Sequence, residues 1–186
     1  MYCEKLEAIL NHKNSPLHNI FDNEVKKFDL FIKDHTTNFE RGNLSPVKFS
    51  LTMNVDHNTS LMFYNIGVKV SLFSPVIFYK CECGSQHKIF SIDEEIECDC
   101  GKLVLPEKDP HNVHVYFKLM EPPEDCSFFD DRDQSKTQIE ALDNDLLGKS
   151  STMSDYKKVL GPNETTYMLT SSRNKQFEDY IRDKTK

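Results

Sequence analysis

Apolar residues recur at helical spacing in two stretches near the start of the chain. They are Leu6, Ile9 and Leu10 in the first stretch, and Leu17, Phe21, Val25, Phe28 and Ile32 in the second. Side chains at this spacing lie on one face of a helix. The dipeptide Ser15-Pro16, which precedes the second stretch, is typical of a helix start. The pattern therefore predicts two helices within residues 1–46.

Beyond residue 46 the apolar positions alternate, which is the period of a β-strand. Residues 47–55, VKFSLTMNV, predict a strand, and the polar DHNTS that follows predicts a turn or loop. Further segments predict strands and one predicts a short helix. The strand segments are LMFYNIGVKVSLFSPVIFYK (61–80), NVHVYFKLM (112–120), KTQIEAL (136–142) and TTYMLTS (165–171), and the helix segment is MSDYKKVL (153–160).

Charge and composition exclude several classes of protein. The formal net charge is −7, whereas a general nucleic-acid binder usually presents a basic face. No apolar run approaches about 18 residues, so we expect no membrane contact. The charged start MYCEKLEAIL lacks the apolar core of a signal peptide, which leaves the cytosol or nucleus as the expected compartment. Thiols stay reduced there, so paired cysteines favour a metal over disulfides.

The most specific motif is a repeated Cys-x-Cys-Gly that supplies Cys81, Cys83, Cys98 and Cys100. Four thiolates around zinc form a closed tetrahedral site, with sulfur atoms roughly 3.8 Å apart when each lies about 2.3 Å from the ion. We expect each pair to lie on the arm of a hairpin, where residues i and i+2 of a strand point to the same side. The motif predicts a structural Zn²⁺ site. Free thiols, disulfides and an iron–sulfur cluster are the alternatives.

The surroundings of the cysteines are acidic. Between Cys81 and Gly101 there are six acidic residues and one lysine, a net charge of −5. Four thiolates around a dication add about −2 more. This region would repel phosphate, so it suits contact with a protein better than contact with nucleic acid.

The order of motifs around the cysteines resembles the N-terminal domain of minichromosome maintenance (MCM) proteins. A strand reading NIGVKVSLFSPVIFYK leads into the cysteines, and MEPPED (120–125) follows the next predicted strand, with Met120 in place of the family's Gln. ALDNDLLG (141–148) resembles a later family signature, with Asn144 in place of an acid. VKFSLTMNV (47–55) occupies the place of a family strand that reads Val-Arg-Phe-x-Asn. The resemblance therefore covers residues 47–186.

The resemblance implies a fold that is mainly β with an α-helical N-terminal part. In this fold residues 1–46 form a short helical subdomain, and residues 47–186 form an OB-fold barrel with a zinc ribbon inserted at about 80–103. The sequence contains no Gly-x-x-x-x-Gly-Lys-[Ser/Thr] motif for ATP. Within the family the chain is therefore either a fragment of a longer ATPase or similar to the standalone, divergent MCM-like proteins of meiosis. No other constellation supports catalysis, so we expect a non-enzymatic protein.

The resemblance also implies partners. The chain would assemble as a hetero- or homo-oligomer with other MCM-like subunits or with an ATPase-bearing partner, in nuclear replication, repair or meiotic recombination. A basic hairpin of the family corresponds to residues near Arg173 and Lys175, which would contact DNA. Two or three phosphate contacts would give only weak, non-specific, salt-dependent binding to single-stranded or duplex DNA.

Two other functions fit the same residues. One is a single-stranded DNA-binding and assembly OB domain of the type found at the C-terminus of the replication protein A large subunit. The other is a zinc-stabilised protein-interaction domain with no role at DNA. The MEPPED signature favours the MCM-like function over both.

Overall fold

A computed structural model describes residues 1–12, 18–126, 150–161 and 163–165, with the side chains of residues 18–22 left aside. The fold is mixed α/β, with a helical N-terminal part and antiparallel sheets. The α-helices are α1 (Tyr2–Leu10), α2 (His18–Asp34), α3 (Pro46–Met53), α4 (His57–Lys69) and α5 (Met153–Leu160). The strands are β1 (Phe73–Lys80), β2 (Gln86–Ile89), β3 (Ile96–Glu97), β4 (Leu103–Val104), β5 (Val113–Leu119) and β6 (Ser151–Thr152).

The two predicted N-terminal helices are confirmed as α1 and α2. Leu6 and Ile9 are buried on α1, and Val25, Phe28 and Ile32 are buried on α2. The end of α2 is closed by Arg41, whose guanidinium donates hydrogen bonds to the carbonyl oxygens of Ile32 and Thr36. Such side-chain donors satisfy carbonyl groups that have no partner within the helix. Among the described residues, no helix combines the length and apolar character needed to cross a bilayer.

The strand predicted at 47–55 is wrong, because this segment forms helix α3. Ser45 caps the helix by accepting a hydrogen bond from the Lys48 N–H, and Pro46 occupies the first turn, where its fixed φ favours a helix. Asn54 ends the helix in the left-handed conformation, with φ of 49°. The alternation was misleading because Phe49 and Met53, four residues apart, are the positions of the segment that bury large apolar side chains.

The next prediction is right in part. DHNTS is not a turn, because Asp56 caps helix α4 by accepting a hydrogen bond from the Thr59 N–H. The residues 61–69 that were predicted as strand continue this helix, and the strand begins only at Phe73. The predicted strand at 112–120 and the predicted helix at 153–160 are confirmed as β5 and α5. The predicted strand at 136–142 and nearly all of the one at 165–171 lie outside the described residues.

The main sheet is antiparallel, with strand order β2-β1-β5-β6, and β3 pairs with β4 in a separate two-stranded sheet. The sheet is open over the residues that the structure describes, so the predicted closed OB barrel is not found there. The description as mainly β is also wrong, because α3 and α4 take the places of the first predicted strands. Strands enclosing a barrel must pair on both sides, whereas β2 ends the described sheet with no neighbour beyond it.

The core lies between the helices and one face of the main sheet. Aromatic rings from α2, α3, α4, β1 and β5 are in direct contact there. Tyr64 on α4 stacks on Phe73 of β1 with ring centroids 4.8 Å apart, and lies at the same distance from Phe117 of β5. Burying each such side chain stabilises the fold by about 1.5–3 kcal/mol, which makes this cluster the main contact between the helices and the sheet.

A residue without a side chain allows α4 and β1 to come this close. A Cβ atom at Gly67 of α4 would lie 2.3 Å from two ring carbons of Phe73. We expect Gly67→Ala to lower the free energy of unfolding by about 1–3 kcal/mol, because the ring cannot move within a filled core. The comparison variant is Gly42→Ala, since a Cβ there meets no heavy atom within 4 Å. Urea denaturation measures both, and equal stabilities would contradict the packing argument.

The segment 120–126, which we call the strap, fastens the end of β5 to the N-terminal helices. Glu121 pairs with Lys5 at 2.9 Å and Asp125 pairs with Lys33 at 3.1 Å. The Glu124 carboxylate accepts the backbone N–H of Cys3 in the first turn of α1, where negative charge is favoured. The strap ends in a disulfide between Cys126 and Cys3. The expectation that thiols stay reduced is therefore wrong for these two cysteines.

We expect the strap disulfide to contribute about 2–4 kcal/mol to stability, because it closes a long loop in the unfolded chain. The two cysteines are 123 residues apart in the sequence. Adding a phosphine reductant, with zinc present throughout, should lower the urea midpoint of the native chain. The double variant Cys3→Ser/Cys126→Ser should start at the lower midpoint and not respond to the reductant. A native chain that is equally stable in both conditions would contradict this prediction.

Candidate metal centre

The four cysteines lie in two turns with the same backbone structure. The first cysteine turn (Cys81–Ser85) joins β1 to β2, and the second (Cys98–Lys102) joins β3 to β4. In each turn, the N–H of the first cysteine donates to the carbonyl four residues later, at 2.9 Å. The carbonyl of that cysteine accepts the N–H of the glycine, at 2.9 Å in the first turn and 2.7 Å in the second.

The glycines make this turn possible. Gly84 has φ of 95° and Gly101 has φ of 79°, in the left-handed region where a Cβ atom is strained. The expectation that the cysteines lie on strand positions is therefore corrected. Each Cys-x-Cys lies in the loop of its hairpin, and the turn brings the two sulfur atoms to the same side. The repeated glycine of the motif was the signal for this geometry.

The turns bring the four sulfur atoms together, since all four lie within 4.8 Å of one another. The Sγ atoms of Cys81 and Cys100 are 3.9 Å apart, and those of Cys83 and Cys98 are 3.4 Å apart. These distances bracket the roughly 3.8 Å expected between thiolates around one zinc ion. The cysteines present therefore fit a tetrahedral metal site, and these four residues would hold the ion.

The protonation of the thiols also favours a cation. The backbone N–H of Cys100 and then the neighbouring His87 lower the pKa of the Cys98 thiol to about 6, despite partial desolvation. The backbone N–H of Cys83 lowers the pKa of the Cys81 thiol, but hydrogen bonding to the sulfur of Cys98 and burial outweigh it and raise this pKa to about 12. Four thiolates within 4.8 Å of one another repel each other, so a positive ion favours the state in which all four are ionised.

His87, which the sequence offers as a competing ligand or, with greater weight, as a surface bystander, lies next to the site. Its position on β2 puts its Nε2 atom 3.3 Å from the Sγ of Cys98. The ring points inward because β2 alternates, and Tyr79 is its partner on β1. A neutral imidazole that donates its N–H to a thiolate lowers the negative charge on the sulfur and fixes its orientation. Strand alternation next to a cysteine turn was the signal that could have found it.

A small apolar cluster attaches the cysteine turns to the main sheet. Cys81 and Cys98 are 3% and 2% exposed, whereas Cys83 and Cys100 are exposed. The two buried cysteines pack within a cluster whose other members are Ile77, Tyr79, Ile89, Val104, Val113 and Met153. The site is therefore continuous with the inner face of the sheet on one side and reaches solvent on the other.

The solvent side of the site is acidic, as predicted. All six acidic residues between Cys81 and Gly101 are exposed. One of them, Glu82 of the first turn, pairs with Lys102 of the second at 2.8 Å, an exposed contact between the two turns. Leu103 on β4 is 62% exposed beside these charges.

None of the remaining predicted residues is found at this site within the part of the chain that the structure describes. Arg173 and Lys175, predicted to contact DNA, lie outside the described residues, as does ALDNDLLG (141–148). MEPPED coincides with the strap, where its acidic residues bind the N-terminal helices rather than the cysteine turns. Comparisons with protein-family models, with curated proteins and with solved structures gave no match.

We expect His87→Phe to weaken metal binding by roughly 10-fold, because the hydrogen bond to the Cys98 sulfur is lost while the ring volume is kept. Titration with Co²⁺, followed by its thiolate absorption, measures the affinity. His57→Phe serves as the control, because His57 begins helix α4 and lies outside the apolar cluster that contains the buried cysteines. If both variants bind Co²⁺ like the native chain, the contact at 3.3 Å has no influence on the site.

Proposed function

We propose that this chain is a non-enzymatic protein-interaction module stabilised by a structural zinc ion. The observation that carries the proposal is the closed set of four cysteine sulfur atoms on two matching turns, within 4.8 Å of one another. Zn²⁺ suits four sulfur ligands in a tetrahedron, and a site with four protein ligands leaves no position for a substrate. The ion would therefore hold the hairpins together rather than take part in a reaction.

The fold gives such an ion a clear task. Strands β3 and β4 have two residues each, and an isolated short hairpin is marginal in water. The metal would bind Cys98 and Cys100 to the first cysteine turn, which is anchored in the main sheet through β1 and β2. Zinc binding would thus supply the stability that this hairpin cannot obtain from its own core.

We propose that the fixed hairpins present a surface to a protein partner. The exposed acidic residues and the four thiolates make this surface negative even with Zn²⁺ bound, so a nucleic acid would be repelled. Leu103 supplies an exposed apolar side chain among the charges. A partner with basic residues around an apolar pocket would be complementary to this surface.

A second candidate keeps the MCM-like assembly implied by the sequence motifs, with other MCM-like subunits or an ATPase-bearing partner in the nucleus. It is favoured by one feature of the topology. The cysteine turns are inserted between β1 and β5, which are neighbours in the sheet, and MEPPED follows β5 directly. Co-purification of the tagged chain with an MCM-like ATPase, lost on charge reversal of Glu94 and Glu95, would support this candidate. DNA contact at Arg173 and Lys175 stays a prediction.

Metal analysis tests the zinc site. Protein purified without added zinc should carry about one Zn²⁺ per chain, and Cys98→Ser should carry far less. A chelator should reduce the stability of the native chain and leave that of Cys98→Ser unchanged, because only the native chain has an ion to lose.

The disulfide cysteines provide the matched control. Cys3→Ser/Cys126→Ser also replaces cysteines, but these form the strap disulfide, so the variant should retain the metal of the native chain. Folded native protein with no bound zinc, or the same zinc loss in both cysteine variants, would overturn the proposed site. Iron in place of zinc would show the same ligands holding a different centre.

A further inference from the structure

The outer face of the main sheet, which points away from the helices, carries basic side chains although the net charge of the chain is −7. The chain has 30 acidic residues, yet β1, β2 and β5 contain none. Each of these strands carries one lysine, namely Lys80, Lys88 and Lys118. All three lysines are exposed, and within the described part of the chain no carboxylate pairs with them.

The strand register puts these lysines on one face together with aromatic rings. Phe78 of β1 is paired with Lys88 of β2 on one side and with His114 of β5 on the other. Side chains alternate along a strand, so Lys80 of β1 and Tyr116 of β5 point to this same face. The odd-numbered residues of β1 and β5 point to the opposite face, towards the helices and the cysteine turns.

The rings on this outer face are partly open to solvent. Phe78 and Tyr116 are half-buried and meet edge to face, with centroids 5.7 Å apart. Phe90, just after β2, is 55% exposed and lies below the ammonium group of Lys88, 5.7 Å from it. On the same face Val76 of β1 is buried, whereas its partner Tyr116 on β5 is half-buried and Lys118 is exposed. The accessible part therefore runs along β5 from Lys118 to Tyr116 and crosses to Phe78 and Lys80 on β1.

We propose that this outer face binds single-stranded DNA. Phe78, Tyr116 and Phe90 would stack on unpaired bases, and Lys80, Lys88 and Lys118 would contact the phosphates. Stacking on aromatic rings with lysines along the backbone is the general means of binding single strands without sequence preference. A duplex keeps its bases paired and stacked inside, where a flat sheet cannot reach them. The face has no feature that requires a 2′-hydroxyl group, so we specify DNA rather than RNA.

This surface is separate from both sites discussed above. It lies on the opposite side of β2 from the cysteine turns, since His87 points to Cys98 and Lys88 points outward. It also shares no residue with the predicted DNA contacts Arg173 and Lys175. The proposal therefore does not depend on the protein-interaction function, and each can fail alone.

The test is fluorescence anisotropy of the full, zinc-loaded chain with a labelled oligothymidine of about 20 nucleotides. Three phosphate contacts on a single strand predict a slope of about −2 in log affinity against log salt, which is a loss of roughly 20-fold between about 50 and 200 mM salt. Lys80→Ala/Lys88→Ala/Lys118→Ala should remove most of this salt dependence. Tyr116→Leu should weaken binding by roughly 10-fold at either salt concentration, because stacking is lost and the apolar volume is kept.

The matched control is Lys26→Ala/Lys157→Ala/Lys158→Ala, which changes the net charge equally at exposed lysines on helices α2 and α5. It should bind like the native chain, and circular dichroism and zinc content should be the same for all variants. Absence of binding at low salt, or equal losses in both triple variants, would overturn the proposal. So would equal competition by duplex DNA or polyglutamate, stronger competition by RNA, or binding lost only in Arg173→Ala/Lys175→Ala.

Discussion

The contact between the aromatic side chains of the helices and the inner face of the sheet is the constraint on which the structure depends. Phe28, Tyr64, Phe73 and Phe117 come from four different elements and meet in one dry cluster. Because ring packing is specific in distance and angle, it fixes where β1 and β5 lie relative to α2 and α4. The positions of the first cysteine turn and of the strap depend on this packing, because β1 leads directly into the turn and β5 leads directly into the strap.

Sequence patterns predicted the parts of this molecule in which local signals agree. Helix α2 and strand β5 have one clear period each, and the four cysteines repeat a motif whose spacing favours a metal ion. The prediction failed at α3, where Val47, Phe49 and Leu51 alternate as in a strand while the caps Ser45 and Asn54 specify a helix. Alternation in a short apolar segment does not tell the two apart, because the core covers α3 and α4 on most sides. Cys3 contacts both Cys126 and Glu124, which are more than 120 positions further along the chain. Contacts over such a distance produce no pattern in the local sequence, so they could not be predicted.

Strand β2 separates two surfaces of opposite charge. One of its faces contacts the cysteine turns through His87, and the other carries Lys88 beside the aromatic rings. Acidic residues concentrate around the cysteines, and strands β1, β2 and β5 have none. A net charge of −7 averages over these regions and describes neither of them. Two ligands of opposite charge could therefore be bound at once, a basic protein on one side and a polyanion on the other, without competing for the same residues.

The strap disulfide closes the chain from Cys3 to Cys126 into a covalent ring, and the segment between the two cysteine turns lies within that ring. The bond between Cys3 and Cys126 encloses nearly all of the fold from α1 to β5, and the cysteine turns lie within this covalent ring. Mechanical tension applied to the chain outside the two bonded cysteines would pass through the disulfide and not through the ring. The segment between the bonded cysteines could not then be drawn out to its full length, although Tyr156 of α5, which follows Cys126, would still transmit load to Phe117 in the core.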